Sequence, residues 1–173
     1  YRDTENDDWK LAVMDQASGE VRMPKGSVGF RWGEEKGKWN IQMEDGQDDS
    51  PIDPVLSFLG QQDEVVRVAF DEFATGDMLS KGVPAKRLQT VDGEILVTTA
   101  FDLLMAQFGV ARGLEGDYPA SYDEIGAYTP AWQEQYTGIG KDTVLRLARE
   151  FASNAEVTEG KSMIIVGASI NHW

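Results

Sequence analysis

The chain contains no cysteine and a single histidine, His172. The first absence excludes disulfides, thiolate-ligated zinc, iron–sulfur ligation by this stretch and a thiol nucleophile. The second excludes a histidine-rich metal site and the paired histidines of a zinc protease. No apolar run approaches the roughly 20 residues that span a bilayer, and the N-terminal residues lack the pattern of a secretory signal. Basic residues are scarce too. Sixteen Lys and Arg stand against 30 Asp and Glu, a net charge of −14. A surface of that sign repels phosphate backbones and anionic lipid, so no nucleic-acid partner is expected. The phosphate-cradling patterns G-x-x-x-x-G-K-[ST] and G-x-G-x-x-G are missing, as is the nucleophile elbow G-x-S-x-G. Carboxylate pairs such as Asp71 and Glu72 carry no information in so acidic a chain. No catalytic residue and no metal ligand is expected in this stretch.

What is present reads as a folded protein. The 173 residues are 41% hydrophobic and 10% aromatic, enough for one core or a small module with a subdomain. From Trp9 the apolar residues alternate: Trp9, Leu11 and Val13, then Val21 and Met23, then Val28, Phe30 and Trp32, then Trp39, Ile41 and Met43. Turn residues separate the four segments, which predicts an antiparallel β-meander with one apolar face. The large aromatics among them are expected in that face, since a half-covered sheet buries such rings more often than it offers them as a platform. Residues 44–54 read as a polar, acidic loop. Asp48, Asp49 and Asp53 lack the ligand spacing of a calcium loop, so they are expected to be solvated. Val66, Val68 and Phe70 alternate as a further strand, residues 74–84 read as a connector, and Asp92-Gly93 predicts a hairpin turn. No internal repeat is expected.

Helices follow. Thr99 is a good N-cap with Asp102 at the third helical position, and Phe101, Leu104, Met105 and Phe108 form one stripe ended by Gly109. Thr129 caps a second helix with Pro130 in its first position, ended by Thr137-Gly138. A third, amphipathic helix carries Val144, Leu145, Ala148, Phe151, Ala152 and Ala155 on one face. The run Ser162 to Val166, bounded by Gly160 and Gly167, predicts a strand apolar on both sides, as in the sheet of an α/β protein. The small-residue loop after it, residues 167–173, then sits where such sheets place ligands. A domain seldom stops on such a loop, so the chain is expected to be cut from something longer.

Three groups of residues carry a resemblance. Tyr128-Thr129-Pro130-Ala131-Trp132, Thr137-Gly138-Ile139 and Arg146 to Ala152 resemble a run typical of molybdopterin oxidoreductases. Lys161 to Trp173, Gly29 to Gly33, Lys36 to Asn40 and Leu96 to Asp102 resemble segments of the respiratory nitrate reductase alpha chain. The similarity runs through most of the chain in the same order. It implies an internal fragment of the catalytic subunit of a membrane-associated enzyme that reduces nitrate to nitrite. It further implies molybdenum bound by two molybdopterin guanine dinucleotides, a 4Fe-4S cluster ligated elsewhere in the parent, and electrons from quinol. Beta (iron–sulfur) and gamma (haem) subunits are the implied partners, at the cytoplasmic face of the bacterial inner membrane. The fragment itself is expected to be soluble, inactive and without bound cofactor, with open strand edges that favour a dimer.

On this reading the fragment supplies scaffold and one edge of the cofactor pocket. Gly167 and Ser169 would let backbone N–H groups approach the pterin nucleotide, and Asn171 and His172 would hydrogen-bond it. Ser169 stands where the resemblance implies glycine, and the connector near residues 74–82 is shorter than it implies. The expected fold is α+β: a β-rich antiparallel region at 1–83, then at 84–173 a hairpin, helices and the terminal strand of an α/β cofactor-binding domain, with one compact fragment as the alternative to two regions. A rival reading is a stand-alone acidic β-rich module that binds a glycan through Trp9, Trp32 and Trp39. A third is an acidic face that docks a partner subunit.

Overall fold

The computed structural model describes residues 12–25, 42–73, 75–165 and 167, with the backbone of residues 2–3 and 8–9 besides. The described elements are mixed α+β, with antiparallel sheets followed by three helices. Of the expected meander, the segments at Phe30, Trp32, Trp39 and Ile41 lie outside the described residues. The described backbone begins with β1 (Arg2–Asp3) paired antiparallel to β2 (Asp8–Trp9).

Two short hairpins come next: β3 (Val13–Met14) with β4 (Val21–Arg22), and β5 (Met43–Glu44) with β6 (Pro51–Ile52). The second falls where the sequence suggested a loop, because its strands are two residues long and carry little alternation. The hairpins are related to one another at a constant offset along the chain. Asp15 and Asp45 open the two turns, Gly19 and Asp49 take the left-handed conformation in each, and Pro24 and Pro54 end them. Each completes the other: Asp15 bridges Pro54, and Pro24 bridges Asp45. The amides of Gln16 and Gly46 donate reciprocally to Asp53 and Met23 at 2.7 and 2.8 Å. A structural repeat is therefore present where the sequence suggested none. Only the aspartate and the proline are the same residue in both copies, and so thin a signature hides among acidic loops.

The main sheet has the order β7 (Glu64–Asp71), β8 (Met78–Thr90), β9 (Gly93–Val97), all antiparallel. Val66, Val68 and Phe70 face inward along β7, as their alternation predicts. The turn at Val91-Asp92 closes β8 onto β9 where Asp92-Gly93 was expected. Residues 78–84, by contrast, are strand and not connector. Lys81, Gly82 and Pro84 are poor strand formers, yet this half of β8 is held by β7 on one side and by residues 115–117 on the other. The Gly82 amide donates to Glu115 O at 2.8 Å, and Ser80 and Asp117 exchange two bonds at 2.7 and 2.9 Å. Pro84, which has no amide to offer, accepts from the Thr98 hydroxyl at 2.7 Å. β8 runs unbroken across residues 83 and 84, so the two expected regions share one sheet.

α1 (Ala100–Gln107) and α2 (Pro130–Thr137) form where capping chemistry places them, and α3 (Lys141–Val157) starts after Gly140 with no side-chain cap. The Thr99 hydroxyl accepts from the Asp102 amide at 3.0 Å, and the Thr129 hydroxyl from the Trp132 amide at 3.1 Å. Gly138 takes the left-handed C-cap. The core is Phe70, Val83 and Ala106, with Val66, Val68, Leu103 and Tyr118 packed against it. Its small size follows from how α1 is turned. The helix buries Asp102 and Ala106, while Phe101, Leu104 and Phe108 of its expected apolar stripe remain exposed.

Residues 162–165 of the predicted strand at 162–166 form no strand, and Val166 lies outside the described residues. Residues 161–165 are irregular, and Met163, Ile164 and Ile165 are 78%, 73% and 82% exposed. A strand that is apolar on both sides needs neighbours on both edges and cover on both faces. The described residues offer neither. No helix among the described residues is long and apolar enough to cross a membrane.

Candidate functional site

The sequence points to the tail, and α3 leads into it. Beyond Val157 the chain reverses: Thr158 caps the helix, Glu159 and Gly160 are both left-handed, and the Gly160 amide donates to Ala155 O at 2.7 Å. Residue 162 is then tied back to the helix, where the Ser162 hydroxyl accepts from Asn154 Nδ2 at 2.7 Å. Gly167 follows in open surroundings, with nothing within 4 Å of where a Cβ would lie. The other expected contacts, Ser169, Asn171 and His172, lie outside the described residues. The side chains of Trp9, Trp32 and Trp39 lie outside them as well. The described residues alone thus form no cradle for a pterin nucleotide, and no reaction step is assigned to this stretch.

A buried polar centre that the sequence did not disclose lies under α1. The Asp102 side chain is fully buried and accepts four hydrogen bonds. Its donors are the Ser57 hydroxyl at 2.6 Å, the Phe58 amide at 2.8 Å, the Thr99 hydroxyl at 2.9 Å and Arg112 Nη1 at 2.9 Å. Burial pushes its carboxyl upward, but the bonds from Ser57, Phe58, Arg112 and Thr99 outweigh it and hold the group below the usual range. Arg112 itself is left-handed, stands over the Phe101 ring at 5.7 Å, and keeps Nε buried without a partner. Thr99 and Asp102 could be read from the sequence as a cap. Ser57 and Arg112 could not, because nothing in one sequence signals pairings with Asp102 from 45 residues before it or from the loop beyond α1.

Lys81 is the second buried charge. At 3% exposure, its ammonium donates to Ala106 O at 2.9 Å and Gln107 O at 3.4 Å, the negative end of α1. Phe70 and Tyr118 flank it at 5.6 and 5.7 Å. Burial moves its pKa down from the ordinary lysine value, against the pull of Asp117 and Glu72. All its described partners are structural, so it fastens the helix to the sheet.

Asp15 plays the corresponding part in the paired hairpins. Its carboxylate accepts from the Asp53 amide at 2.9 Å and from the Ser18 amide and hydroxyl at 2.9 and 2.7 Å. The Asp53 bond, then those from Ser18, hold its pKa down at about 2. A carboxyl that is more acidic folded than unfolded stabilises above its unfolded pKa and loses that contribution as pH falls through the folded one. The unfolding midpoints of wild type and Asp15→Asn should therefore differ by a constant amount above about pH 5 and converge between about pH 4 and 2. Urea titrations along that pH series measure it; parallel curves down to pH 2 would contradict the assignment. Three further loop carboxylates have partners. Asp48 accepts from the Ser50 amide, Asp49 pairs with Lys25, and Arg22 stands 3.8 Å from Asp45.

Two concavities are lined by described residues. An apolar recess of about 390 Å³ lies between β3, β9 and the start of α1, walled by Val13, Pro54, Leu56, Phe58, Val97 and Phe101. A larger cleft of about 900 Å³ opens between the end of α1, residues 119–123 and α3. Phe108, Val110, Pro119, Val144, Leu145 and Ala148 line it. Beside this cleft Phe73, Phe108, Tyr128, Trp132 and Tyr136 form a chain of ring contacts at 4.8 to 6.2 Å between centroids. The rings meet edge-on or tilted. They pack on one another as an aromatic cluster.

No family model matches the chain. It is similar over nearly its whole length to three curated proteins. It is 47% identical, over 97% of this chain, to the respiratory nitrate reductase 1 alpha chain of Escherichia coli strain K12. It is 45% identical, over 99%, to the nitrate reductase alpha chain of Bacillus subtilis strain 168. It is 40% identical, over 99%, to the nitrate reductase alpha subunit of Mycobacterium tuberculosis. The chain spans about 14% of the length of each.

Proposed function

We propose that the chain, which belongs with the nitrate reductase alpha chains and matches about 14% of their length, is a structural segment of the catalytic subunit of a nitrate-reducing enzyme. The observation that carries this reading is identity of 47% spread over 97% of the chain. The segment is a scaffold. Among its described residues no group of three or more His, Cys, Asp or Glu is placed to hold a metal, and the buried Asp102 and Lys81, with the partly buried Arg112, are spent on packing. Alone it is inactive on nitrate.

Within the whole enzyme, residues Gly167, Ser169, Asn171 and His172 form one edge of the pocket for molybdopterin guanine dinucleotide. Small side chains permit backbone approach, and Asn171 and His172 supply hydrogen bonds. The iron–sulfur cluster and the beta and gamma subunits belong to the same proposal, as does placement at the cytoplasmic face of the inner membrane. The test is His172→Gln in the whole enzyme. Cofactor content per alpha chain and nitrate turnover should fall together, by about tenfold if the imidazole acts as an outer hydrogen-bonding partner of a bound group. Unchanged content and turnover would remove His172 from the pocket.

A further inference from the structure

We infer that Asn154 and Ser162 are positioning residues. The bond between their side chains fixes where the tail leaves α3, and so how the residues from Gly167 onward are presented to the pterin nucleotide. This deepens the pocket reading above and rests on it. α3 is a rigid arm of 17 residues, about 25 Å long. Its start is pinned to α2, where the Lys141 amide donates to Glu134 Oε2 at 2.9 Å and Gln133 Nε2 donates to Ile139 O at 2.8 Å. Its far end reverses the chain. Asn154 O accepts from the amide and the hydroxyl of Thr158 at 3.0 and 2.6 Å, and the Lys161 amide donates to that hydroxyl at 3.2 Å. Between them Glu159 and Gly160 have φ of +55° and +86°. Glycine takes that conformation freely and glutamate does not, so the reversal is imposed by its surroundings.

Those bonds end the helix. Ser162 does something else: its hydroxyl accepts from Asn154 Nδ2 at 2.7 Å and donates to Phe151 O at 3.4 Å. Neither bond closes a helical turn; both tie the segment that follows to the last turns of α3. Asparagine is a poor helix former, so residue 154 serves this bond better than it serves the helix. Past Ser162, residues 163–165 and 167 make no hydrogen bond to another described residue. Among the described residues Ser162 is therefore the last fixed point before Gly167, and a change of direction there is carried to everything beyond it.

The test uses the whole enzyme. Asn154→Ala, Ser162→Ala and the double variant should each lower cofactor content per folded alpha chain by about fivefold, the effect of one net hydrogen bond. The double variant should lose no more than either single one, because all three break the same bond. Ser162→Thr keeps the hydroxyl and should hold content at the wild-type value. A bond that only ends the helix would act on folding, so unfolding midpoints are compared in alpha chains produced without the pterin cofactor, where all the variants should match wild type. Additive losses, failure of the threonine variant to keep content, or a lowered midpoint with wild-type content would each overturn the positioning role. His172→Gln separates the two failures. A fall in content for His172→Gln but not for Asn154→Ala sinks the positioning role alone, whereas no fall in either removes the tail from the pocket as well.

Discussion

Asp102→Ala is expected to lower the unfolding free energy by about 3–5 kcal/mol, among the largest effects of any single substitution here. The side chain is fully buried and serves four donors from three parts of the chain. Removing it strands the Arg112 guanidinium, whose side chain is only 16% exposed and whose Nε already lacks a partner. It also removes the acidic group from the first turn of α1 and leaves the Phe58 amide with nothing to bond. Urea unfolding followed by tryptophan fluorescence and far-ultraviolet circular dichroism measures the loss. Asp102→Asn keeps the shape but replaces one acceptor with a donor, so an intermediate loss of about 2 kcal/mol is expected. A loss below about 1 kcal/mol for the alanine variant would mean that water replaces the carboxylate and that the centre is not sealed.

Gly116→Ala should cost about 3 kcal/mol or more by a different route. Gly116 has φ of +146°, a conformation open to glycine and strained for any other residue. A Cβ there would sit 2.7 Å from Lys81 Cα and 2.8 Å from Ser80 O, so backbone and not a pliant side chain blocks it. The bridge between Lys81 and Gly116 would have to open, and with it the second neighbour of the first half of β8. Gly113→Ala is the control for backbone strain. That glycine is also left-handed, but nothing lies within 4 Å of its missing Cβ, so about 1 kcal/mol is expected. Similar losses for the two variants would show that the close approach does not hold the strand.

Much of the local structure was legible because it depends on neighbours in sequence. The Thr99 and Thr129 caps, Pro130 in the first turn of α2 and Gly138 as a stop are all decided within four residues and stand where the sequence put them, and the hairpin turn falls one residue before the expected Asp92-Gly93. The helical stripes were legible as patterns but not as faces. Phe101, Leu104 and Phe108 do form a stripe, yet α1 turns Asp102 and Ala106 inward, because a fully bonded carboxylate costs less to bury than the pattern implies. The first half of β8 was missed for the opposite reason. Lys81, Gly82 and Pro84 argue against a strand locally, and partners as distant as Glu115 and Asp117 overrule them. The tail illustrates a third case. Residues 162–165 have the composition of a covered strand, and composition alone does not supply the neighbours that a strand requires. Of the candidate site, the sequence named four residues, and the structure describes Gly167 alone among them.

The reciprocal hairpins at Asp15 and Asp45 carry a consequence for how this part of the protein tolerates change. Each turn borrows its closing bonds from the other, so neither half gains much by forming first and the pair should assemble in one cooperative event. A change at either turn should therefore unsettle both, since each would lose the bonds that the other supplies.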